Sequence, residues 1–180
     1  MTRGTAPGGS SANAACVVVM GVSGCGKTTV GQALATALGL PFLEGDALHP
    51  ARNVERMAAG IALTDEDRQG WLAALSERLR QARAQGQGVV VSCSALRRSY
   101  RDLLRAGAPD LRFVYLHGAP DLLAERLRSR SGHYMPTSLL GSQLETLEPP
   151  GDDETPLRVD IGQPPETIVA QVLQQLSPCG

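Results

Sequence analysis

A glycine-rich octapeptide that follows a short apolar segment constrains the fold of this chain more than any other feature. Its residues fit the pattern G-x-x-x-x-G-K-[ST] and read Gly21-Val22-Ser23-Gly24-Cys25-Gly26-Lys27-Thr28. In this pattern, the P-loop, backbone N–H groups surround a phosphate at a helix N-terminus, the lysine reaches the terminal phosphates, and the hydroxyl coordinates Mg²⁺. At the glycine and Ser/Thr frequencies of this chain, a chance match around one lysine has a probability on the order of one in a thousand. The octapeptide therefore predicts phosphate binding.

Lys27 within this loop is the only lysine of the chain, and the remainder of the 17 basic residues are arginines. Lysine carries a compact, rotatable point charge, whereas arginine ends in a rigid planar fork. A chain that uses arginine everywhere else but lysine here indicates a site that the planar fork does not fit.

Apolar, β-branched segments alternate with helical patterns along the chain. Strands are predicted over residues 16–20, 41–44, 89–92, 113–116 and 157–161, and helices over residues 27–38, 51–59, 64–84, 96–105, from 120 onward, 137–147 and 165–176. This alternation predicts an α/β fold with a five-stranded parallel sheet and helices on both faces. With a phosphate loop after the first strand, we expect a P-loop kinase fold of the nucleoside-monophosphate-kinase-like type. Such a fold carries a helical acceptor flap and a lid, here at about residues 130–137.

Composition limits the organisation and the partners of the chain. Residues 1–13 are small, polar and rich in glycine and serine, so we expect a disordered leader followed by a single domain over residues 14–180. The formal net charge of −1 argues against binding of nucleic acid, and no apolar stretch of about 18 residues predicts a membrane helix. The four cysteines are scattered without a C-x-x-C pair, which favours free thiols in the cytoplasm over disulfides.

Missing motifs narrow the class of phosphate-binding protein. GTPases read guanine with a second lysine, which this chain lacks. The third and fourth predicted strands end in Ser92-Cys93 and Leu116-His117, so neither supplies the acidic metal ligand of motor-type and switch-type NTPases. What remains is a small-molecule kinase in which Mg²⁺ is held by Thr28, the phosphates and water.

A polar segment follows the second predicted strand, at the sheet edge where ligands bind in open α/β folds. Asp46 in this segment is suited to orient an attacking hydroxyl or accept its proton, with His49 and Arg52 nearby. Each of the three has a structural alternative. In these alternatives, Asp46 would cap a helix, His49 would fill a turn, and Arg52 would be a solvated helix residue.

Three arginines precede the Gly132-His133 pair near the predicted lid. Arg126 and Arg130 share one helix face because they are four residues apart, whereas Arg128 points elsewhere. This spacing predicts a lid that closes on the transferring phosphoryl group, with a solvated basic face as the alternative.

Four sequence blocks resemble those of gluconokinases of the short P-loop type. The blocks are GVSGCGKTT, GDALHPARNVERMAAGIALTDEDRQGWL, CSALRRSYRDLLR and GHYMPTSLLGSQLETLEPP, and the resemblance extends over nearly all residues from Val17 to Ile161. The second and fourth blocks are specific to that family. The resemblance implies transfer of the γ-phosphoryl group of ATP, with Mg²⁺, to the 6-hydroxyl of D-gluconate, and a homodimeric assembly.

The same resemblance implies roles for individual residues. Asp46 becomes the base or orienter of the sugar hydroxyl, and the segment containing Ser94 and Arg97 holds the substrate carboxylate. The alternative for Arg97 is a solvated helix residue. Arg101 either serves the acceptor or pairs with Asp102. His133 belongs to the family's G-H-[FY] motif and either contacts substrate or packs within the lid, while Gln143 is expected to act as scaffold.

The predicted site therefore comprises overlapping sets of residues. The catalytic set is Lys27, Asp46 and Arg130. The substrate-binding set is Asp46, His49, Arg52, Ser94, Arg97, Arg101 and His133. The nucleotide-binding set is Gly21, Val22, Ser23, Gly24, Cys25, Gly26, Lys27, Thr28, Thr29, Arg126 and Arg130, with Thr28 also as the metal ligand.

Cys25 replaces the serine that is commoner in this loop. A thiol before a helix N-terminus and near Lys27 is expected to be reactive, and the alternative is a packed, inert thiol.

Three other functions compete with the gluconokinase prediction. Shikimate kinases carry Asp-x-Asp after the second strand and a glycine triplet after the third, where this chain has Gly45-Asp46-Ala47 and Cys93-Ser94-Ala95. A nucleoside monophosphate kinase would differ in its acceptor. A nucleotide-binding regulator without turnover would not need the intact set of Lys27, Thr28, Asp46 and Arg130.

Overall fold

The computed structural model describes residues 15–130, 136 and 138–177. Within them, five parallel strands form one sheet in the order β2-β3-β1-β4-β5. The strands are β1 (Cys16–Met20), β2 (Phe42–Glu44), β3 (Val89–Ser92), β4 (Arg112–His117) and β5 (Leu157–Asp160). The predicted five-stranded parallel sheet is confirmed. The predicted leader lies outside the described residues, as does the predicted lid apart from Arg130 and Pro136.

Helices connect the strands in the predicted alternation. They are α1 (Lys27–Leu38), α2 (Ala51–Ala58), α3 (Asp65–Ala84), α4 (Arg98–Gly107), α5 (Pro120–Ser129), α6 (Ser138–Thr146) and α7 (Pro165–Leu176), with short 3₁₀ turns at Gly45–Leu48 and Asp152–Glu154. Helix α3 begins after Thr64, whose side chain accepts a hydrogen bond from the Asp67 N–H in a capping box. Helix α4 begins two residues later than predicted, because Arg97 is an extended N-cap and the Leu96 carbonyl accepts from the Glu148 N–H.

The central strands are covered on both faces of the sheet. Val17, Val18 and Val19 are completely buried. Helices α1 and α7 pack together and α3 packs on α4, while β1 contacts both α1 and α3. Coverage on both faces explains why the strands are continuous apolar runs without polar alternation.

The carboxyl ends of β1, β2 and β3 lie at one edge of the sheet because these neighbouring strands are parallel. The phosphate loop follows β1, Asp46 follows β2, and Ser94 follows β3. The Gly21 N–H donates to the Ser94 carbonyl at 3.3 Å and so joins two of these segments. The topology therefore brings together three segments that are far apart in sequence. Among the segments that the structure describes, no helix combines the length and apolar content that a membrane crossing requires.

Candidate active site

The phosphate loop owes its shape to glycines in conformations that other residues rarely adopt. Gly26 caps α1 with a φ of 92°, and Gly24 has a φ of 87°. A Cβ atom on Gly24 would lie 2.8 Å from the Leu123 carbonyl oxygen, so the loop packs directly against the backbone of α5. The loop thereby holds its N–H groups at the start of α1, where the helix dipole favours an anion.

Lys27 folds back over this loop. Its Nζ donates to the Val22 carbonyl oxygen at 3.1 Å. The ammonium group is therefore held above the loop by a neutral acceptor, which a phosphate oxygen can replace.

A carboxylate that the sequence analysis overlooked lies beside Thr28. The Thr28 hydroxyl donates to Oε2 of Glu44 at 2.5 Å, and the Ser92 hydroxyl donates to Oε1 of the same carboxylate at 2.5 Å. A carboxylate oxygen and a hydroxyl side by side are ligands that suit Mg²⁺, a hard cation. Strands β3 and β4 end without an acidic residue, but β2 ends in Glu44, whose carboxylate lies beside the predicted metal ligand Thr28. In the sequence, this carboxylate is indicated by the acidic pair Glu44-x-Asp46.

A pocket opens between the phosphate loop, the segment after β2 and helix α6; we call it the flap pocket. Its lining comprises Ser23, Lys27, Asp46, His49, Met57, Ala62, Leu63, Arg68, Ser94, Leu96, Leu139, Ser142 and Gln143. The structure thus brings together the predicted Lys27, Asp46, His49 and Ser94. Polar residues that were not placed in the site, namely Arg68, Ser142 and Gln143, also line it.

Asp46 and His49 contribute polar side chains to the flap pocket, which Lys27 also lines. The Asp46 side chain is 31% exposed, and its Oδ1 lies 4.0 Å from Nε2 of His49. The His49 ring stacks on Trp71 with centroids 4.0 Å apart. Burial lowers the pKa of His49 to about 4, with the Asp46 charge opposing this shift and the Arg68 charge reinforcing it. His49 is therefore a neutral imidazole near neutral pH.

Arg68 is the one arginine among the described residues that line the flap pocket. Its side chain is largely buried and donates to the Tyr100 hydroxyl at 3.1 Å, with Asp65 3.9 Å away. The Tyr100 hydroxyl in turn donates to Asp65. This arrangement holds a guanidinium at the pocket wall. The sequence did not indicate Arg68 as a site residue, because it lies within the first turn of helix α3 and not in a polar segment that follows a strand.

The other predicted substrate-binding arginines lie outside the lining of the flap pocket. Arg52 is 71% exposed and lies 3.7 Å from Asp67. The Arg97 guanidinium lies 3.6 Å from Asp65, the carboxylate that Arg68 also approaches. The remaining predicted residue, His133, lies outside the described residues.

Arg101 is committed to the protein interior. Its side chain is 1% exposed and makes two hydrogen bonds to the Glu154 carboxylate, at 2.7 and 3.0 Å. It also donates to the Ala95 carbonyl at 2.9 Å. The sequence left two alternatives for Arg101, contact with the acceptor or pairing with Asp102. In the structure Asp102 pairs with Arg105 at 3.0 Å instead. These contacts assign Arg101 to fixing the turn after β3 that carries Ser94.

A second opening, the α5 cleft, lies on the other side of the phosphate loop. Its lining includes Gly24, Cys25, Gly26, Thr29, Arg126 and Arg130. Arg126 donates to the Ile161 carbonyl at 2.7 Å, which anchors its guanidinium beside the loop. Arg128 is not part of this lining, as its position on the helix predicted. The two arginines assigned to the nucleotide therefore meet the loop residues in one cleft.

Helix α6 contacts the phosphate loop through Gln143. The Gln143 Oε1 atom accepts a hydrogen bond from the Ser23 N–H at 2.7 Å. Gln143 thus supports the loop, as expected of a scaffold residue, and it lines the flap pocket as well.

The Cys25 side chain is 1% exposed and belongs to the main hydrophobic core. Cys25 is among the residues that line the α5 cleft, yet it is buried as a free thiol. This placement favours the packed, inert alternative over a reactive thiol.

Comparisons with known proteins agree with the geometry. The model of a family described as an AAA domain matches residues 16–150. The gluconokinase of Gluconobacter oxydans is 51% identical over 158 residues, which cover 88% of this chain and 89% of that relative. The thermoresistant gluconokinase of Escherichia coli is 48% identical over 158 residues, covering 87% and 90%. The solved structure of a gluconokinase from Sinorhizobium meliloti 1021 has a TM-score of 0.82 and 55% identity, covering 90% of this chain and 91% of that one.

The parallel sheet, the phosphate loop at the start of α1 and the flap pocket beside it are the architecture of a P-loop kinase. The relatives show that it is a kinase that phosphorylates an alcohol group. At the identity and coverage of these relatives, the chain belongs to the gluconokinase family. The resemblance found in the four sequence blocks is confirmed.

Proposed function

We propose that the protein transfers the γ-phosphoryl group of ATP to the 6-hydroxyl of D-gluconate, giving 6-phospho-D-gluconate and ADP. The observation that carries this proposal is the flap pocket, in which Lys27 and Asp46 line the same space. A hydroxyl bound there would lie between a carboxylate and the phosphate loop. The identity of the acceptor rests on the relatives, which are named gluconokinases.

The nucleotide phosphates would bind the N–H groups at the start of α1, with the α5 cleft receiving the rest of the nucleotide. Lys27 would exchange the Val22 carbonyl for phosphate oxygens and stabilise the charge that develops during transfer. Arg126 and Arg130 line the same cleft and supply further positive charge to the nucleotide. Thr28 and Glu44 would hold Mg²⁺, which neutralises phosphate charge when bound.

Asp46 is the proposed base or orienter of the acceptor hydroxyl. Its carboxylate is partly exposed to the flap pocket, so it can reach a substrate while keeping His49 as a neighbour. His49, held neutral by burial, stands beside Asp46 as an uncharged neighbour, so the two side chains do not form a charged pair that would compete with the acceptor hydroxyl for the carboxylate.

We assign the carboxylate of the acceptor to Arg68. A planar guanidinium binds a carboxylate through two parallel hydrogen bonds, and Arg68 presents one at the pocket wall. Ser94 lines the same pocket and adds a hydroxyl for the polyol chain. This assignment replaces Arg97 as the first candidate, because Arg97 lies outside the lining.

Two further expectations stay predictions, namely the homodimeric assembly and the cytoplasmic location. The predicted cytoplasmic location is supported by the described cysteines, which are buried free thiols.

The function is tested by measuring ADP formation with D-gluconate, shikimate, nucleoside monophosphates and no acceptor. We expect turnover to depend on gluconate, and Asp46→Asn to lower kcat strongly while the Kd for ATP changes little. Faster turnover with shikimate or a nucleotide would contradict the assignment. Absence of turnover with every acceptor would instead indicate a nucleotide-binding regulator.

A further inference from the structure

We propose that Asn53, a buried residue of α2, fixes the tautomer of His49 so that the His49 Nε2–H faces Asp46. Asn53 is thus a positioning residue that acts through His49 on the carboxylate assigned to the acceptor hydroxyl. The inference rests on the proposed function for its effect on catalysis, but the tautomer itself is independent of which acceptor the enzyme uses.

The orientation of the Asn53 amide follows from a backbone carbonyl. Asn53 is completely buried, and its Nδ2 lies 2.8 Å from the carbonyl oxygen of Asp67. A carbonyl oxygen only accepts hydrogen bonds, so the amide atom that faces it must be the nitrogen and not the oxygen. This contact settles the choice between the two amide orientations, which are otherwise hard to distinguish.

The same nitrogen determines which nitrogen of His49 carries the proton. Nδ2 of Asn53 lies 3.3 Å from Nδ1 of His49, and an amide NH₂ group has a second hydrogen to donate. Nδ1 must therefore present a lone pair. In a neutral imidazole the proton then resides on Nε2, which lies 4.0 Å from Oδ1 of Asp46.

The surroundings of His49 keep the ring neutral and in place. The side chain is 4% exposed and stacks on Trp71, whose Nε1 donates to the Gly45 carbonyl at 2.8 Å. The charged groups that act on the ring are Asp46 and Arg68, and burial lowers its pKa to about 4. The ring nitrogen that carries the hydrogen is thereby held 4.0 Å from the Asp46 carboxylate, beyond direct hydrogen-bond distance but close enough for an electrostatic contact.

The remaining amide atom indicates that Asn53 is not present for packing alone. Within the described part of the chain, Oδ1 of Asn53 is buried without a hydrogen-bond partner. A buried acceptor without a partner destabilises the fold, so an apolar residue would be the better filler. An apolar residue would lack the NH₂ group, which donates to the Asp67 carbonyl and faces Nδ1 of His49.

The tautomer can be measured directly in the wild-type enzyme. The chain contains three histidines, His49, His117 and His133, so ¹⁵N spectra of the imidazoles at pH 7 are simple, and loss of one set in His49→Gln assigns it. We expect the neutral Nε2–H pattern for His49. An Nδ1–H tautomer or an imidazolium would overturn the inference and leave the acceptor assignment untouched.

Substitution of Asn53 tests the effect on catalysis. Asn53→Asp keeps the shape but replaces the donor with an acceptor, and Asn53→Ala removes the donor without adding charge. In Asn53→Asp, where an acceptor faces Nδ1, we expect the Nε2–H pattern to be lost and kcat with gluconate to fall at least about tenfold, with the Kd for ATP within about twofold of wild type. Asn53→Ala imposes no tautomer, so its fall in kcat should be smaller.

The matched control is Thr64→Ala, which removes the capping box of α3 near Asp67 without removing the amide–imidazole contact. It should lower Tm but leave the tautomer and kcat unchanged. If Asn53→Asp retains the Nε2–H pattern and kcat within about twofold, the inference is wrong. If neither Asn53 variant folds, the tautomer of His49 measured in the wild-type enzyme decides whether the inference holds.

Discussion

The Oε1 atom of Gln143 accepts a hydrogen bond from the backbone N–H of Ser23 at 2.7 Å, which joins α6 to the phosphate loop across 120 residues of sequence. The same side chain lines the flap pocket. Gln143 therefore contacts the loop that receives phosphate and the pocket assigned to the acceptor. This bond therefore fixes α6 against the phosphate loop.

A negative charge at this position should weaken nucleotide binding. Gln143→Glu keeps the side-chain shape but places a carboxylate against the N–H groups that bind phosphate. We expect the Kd for ATP, measured by calorimetry, to rise at least about tenfold, or about 1.4 kcal/mol. Gln143→Ala should raise it less, and Gln174→Glu on the exposed part of α7 serves as the charge control. Equal Kd values for Gln143→Glu and Gln143→Ala would contradict this electrostatic explanation.

Replacement of the single lysine should impair catalysis although the charge is retained. Lys27→Arg puts a planar fork where a point charge must approach two phosphates. We expect a loss of roughly 2–4 kcal/mol in transition-state stabilisation, measured as kcat/KM. Arg128→Lys is an exchange between the same residue types at an exposed position outside the α5 cleft, and it should leave kcat/KM unchanged. A nearly wild-type Lys27→Arg enzyme would refute the argument from lysine usage.

The Glu44 carboxylate should govern the requirement for magnesium. Glu44→Gln keeps the size of the side chain but removes the charge beside Thr28. We expect the half-saturating Mg²⁺ concentration to rise on the order of tenfold, with part of the activity recovered at high Mg²⁺. EDTA should abolish turnover in both enzymes, and the exposed Glu55→Gln is the control. An unchanged Mg²⁺ titration would exclude Glu44 from the metal site.

Two arginines that approach the same Asp65 carboxylate should differ in their effect on gluconate. Arg68 lines the flap pocket, and Arg97 lies outside its lining. Arg68→Lys loses the paired donors of the guanidinium, so we expect the KM for gluconate to rise at least about tenfold while the KM for ATP is unchanged. Arg97→Lys should change neither constant by more than about twofold. The reverse ranking would restore Arg97 as the carboxylate ligand.

The buried pair of Arg101 and Glu154 should support stability rather than chemistry. Arg101→Met leaves the Glu154 carboxylate buried with fewer partners, which costs about 3–5 kcal/mol of unfolding free energy. Denaturant titration should detect this loss, while the KM for gluconate of the folded fraction stays close to wild type. A raised KM with unchanged stability would return Arg101 to the substrate.

The same pair should make stability depend on acid pH. Burial alone would raise the pKa of Glu154, but hydrogen bonds from Arg101, Arg105 and the Gly151 N–H outweigh it and lower the pKa to about 2 from an ordinary 4.5. A depressed folded-state pKa stabilises the fold above pH 4.5, and this contribution disappears as the pH falls toward 2. Glu154→Gln should therefore flatten the stability profile in that window, as followed by thermal melts.

Local sequence was sufficient for the fold and for the phosphate loop. The strands are continuous apolar runs because they are buried on both faces, and the glycines of the loop are required by backbone conformations that are set within a few residues. Thr64 marked the start of α3 for the same local reason. Such features depend on neighbours in the chain, so their pattern is visible in the sequence.

Lys27 and Asp46 were predicted for the flap pocket, but which arginine lines it was decided only by the tertiary structure. The predicted arginines at positions 52, 97 and 101 are attractive by position alone, yet each contacts an acidic residue elsewhere, and Arg68 lines the pocket instead. Glu44 meets Thr28 because β2 and the start of α1 adjoin at one sheet edge. A long, charged side chain can reach partners far away in sequence, so its role depends on which elements the fold packs beside it.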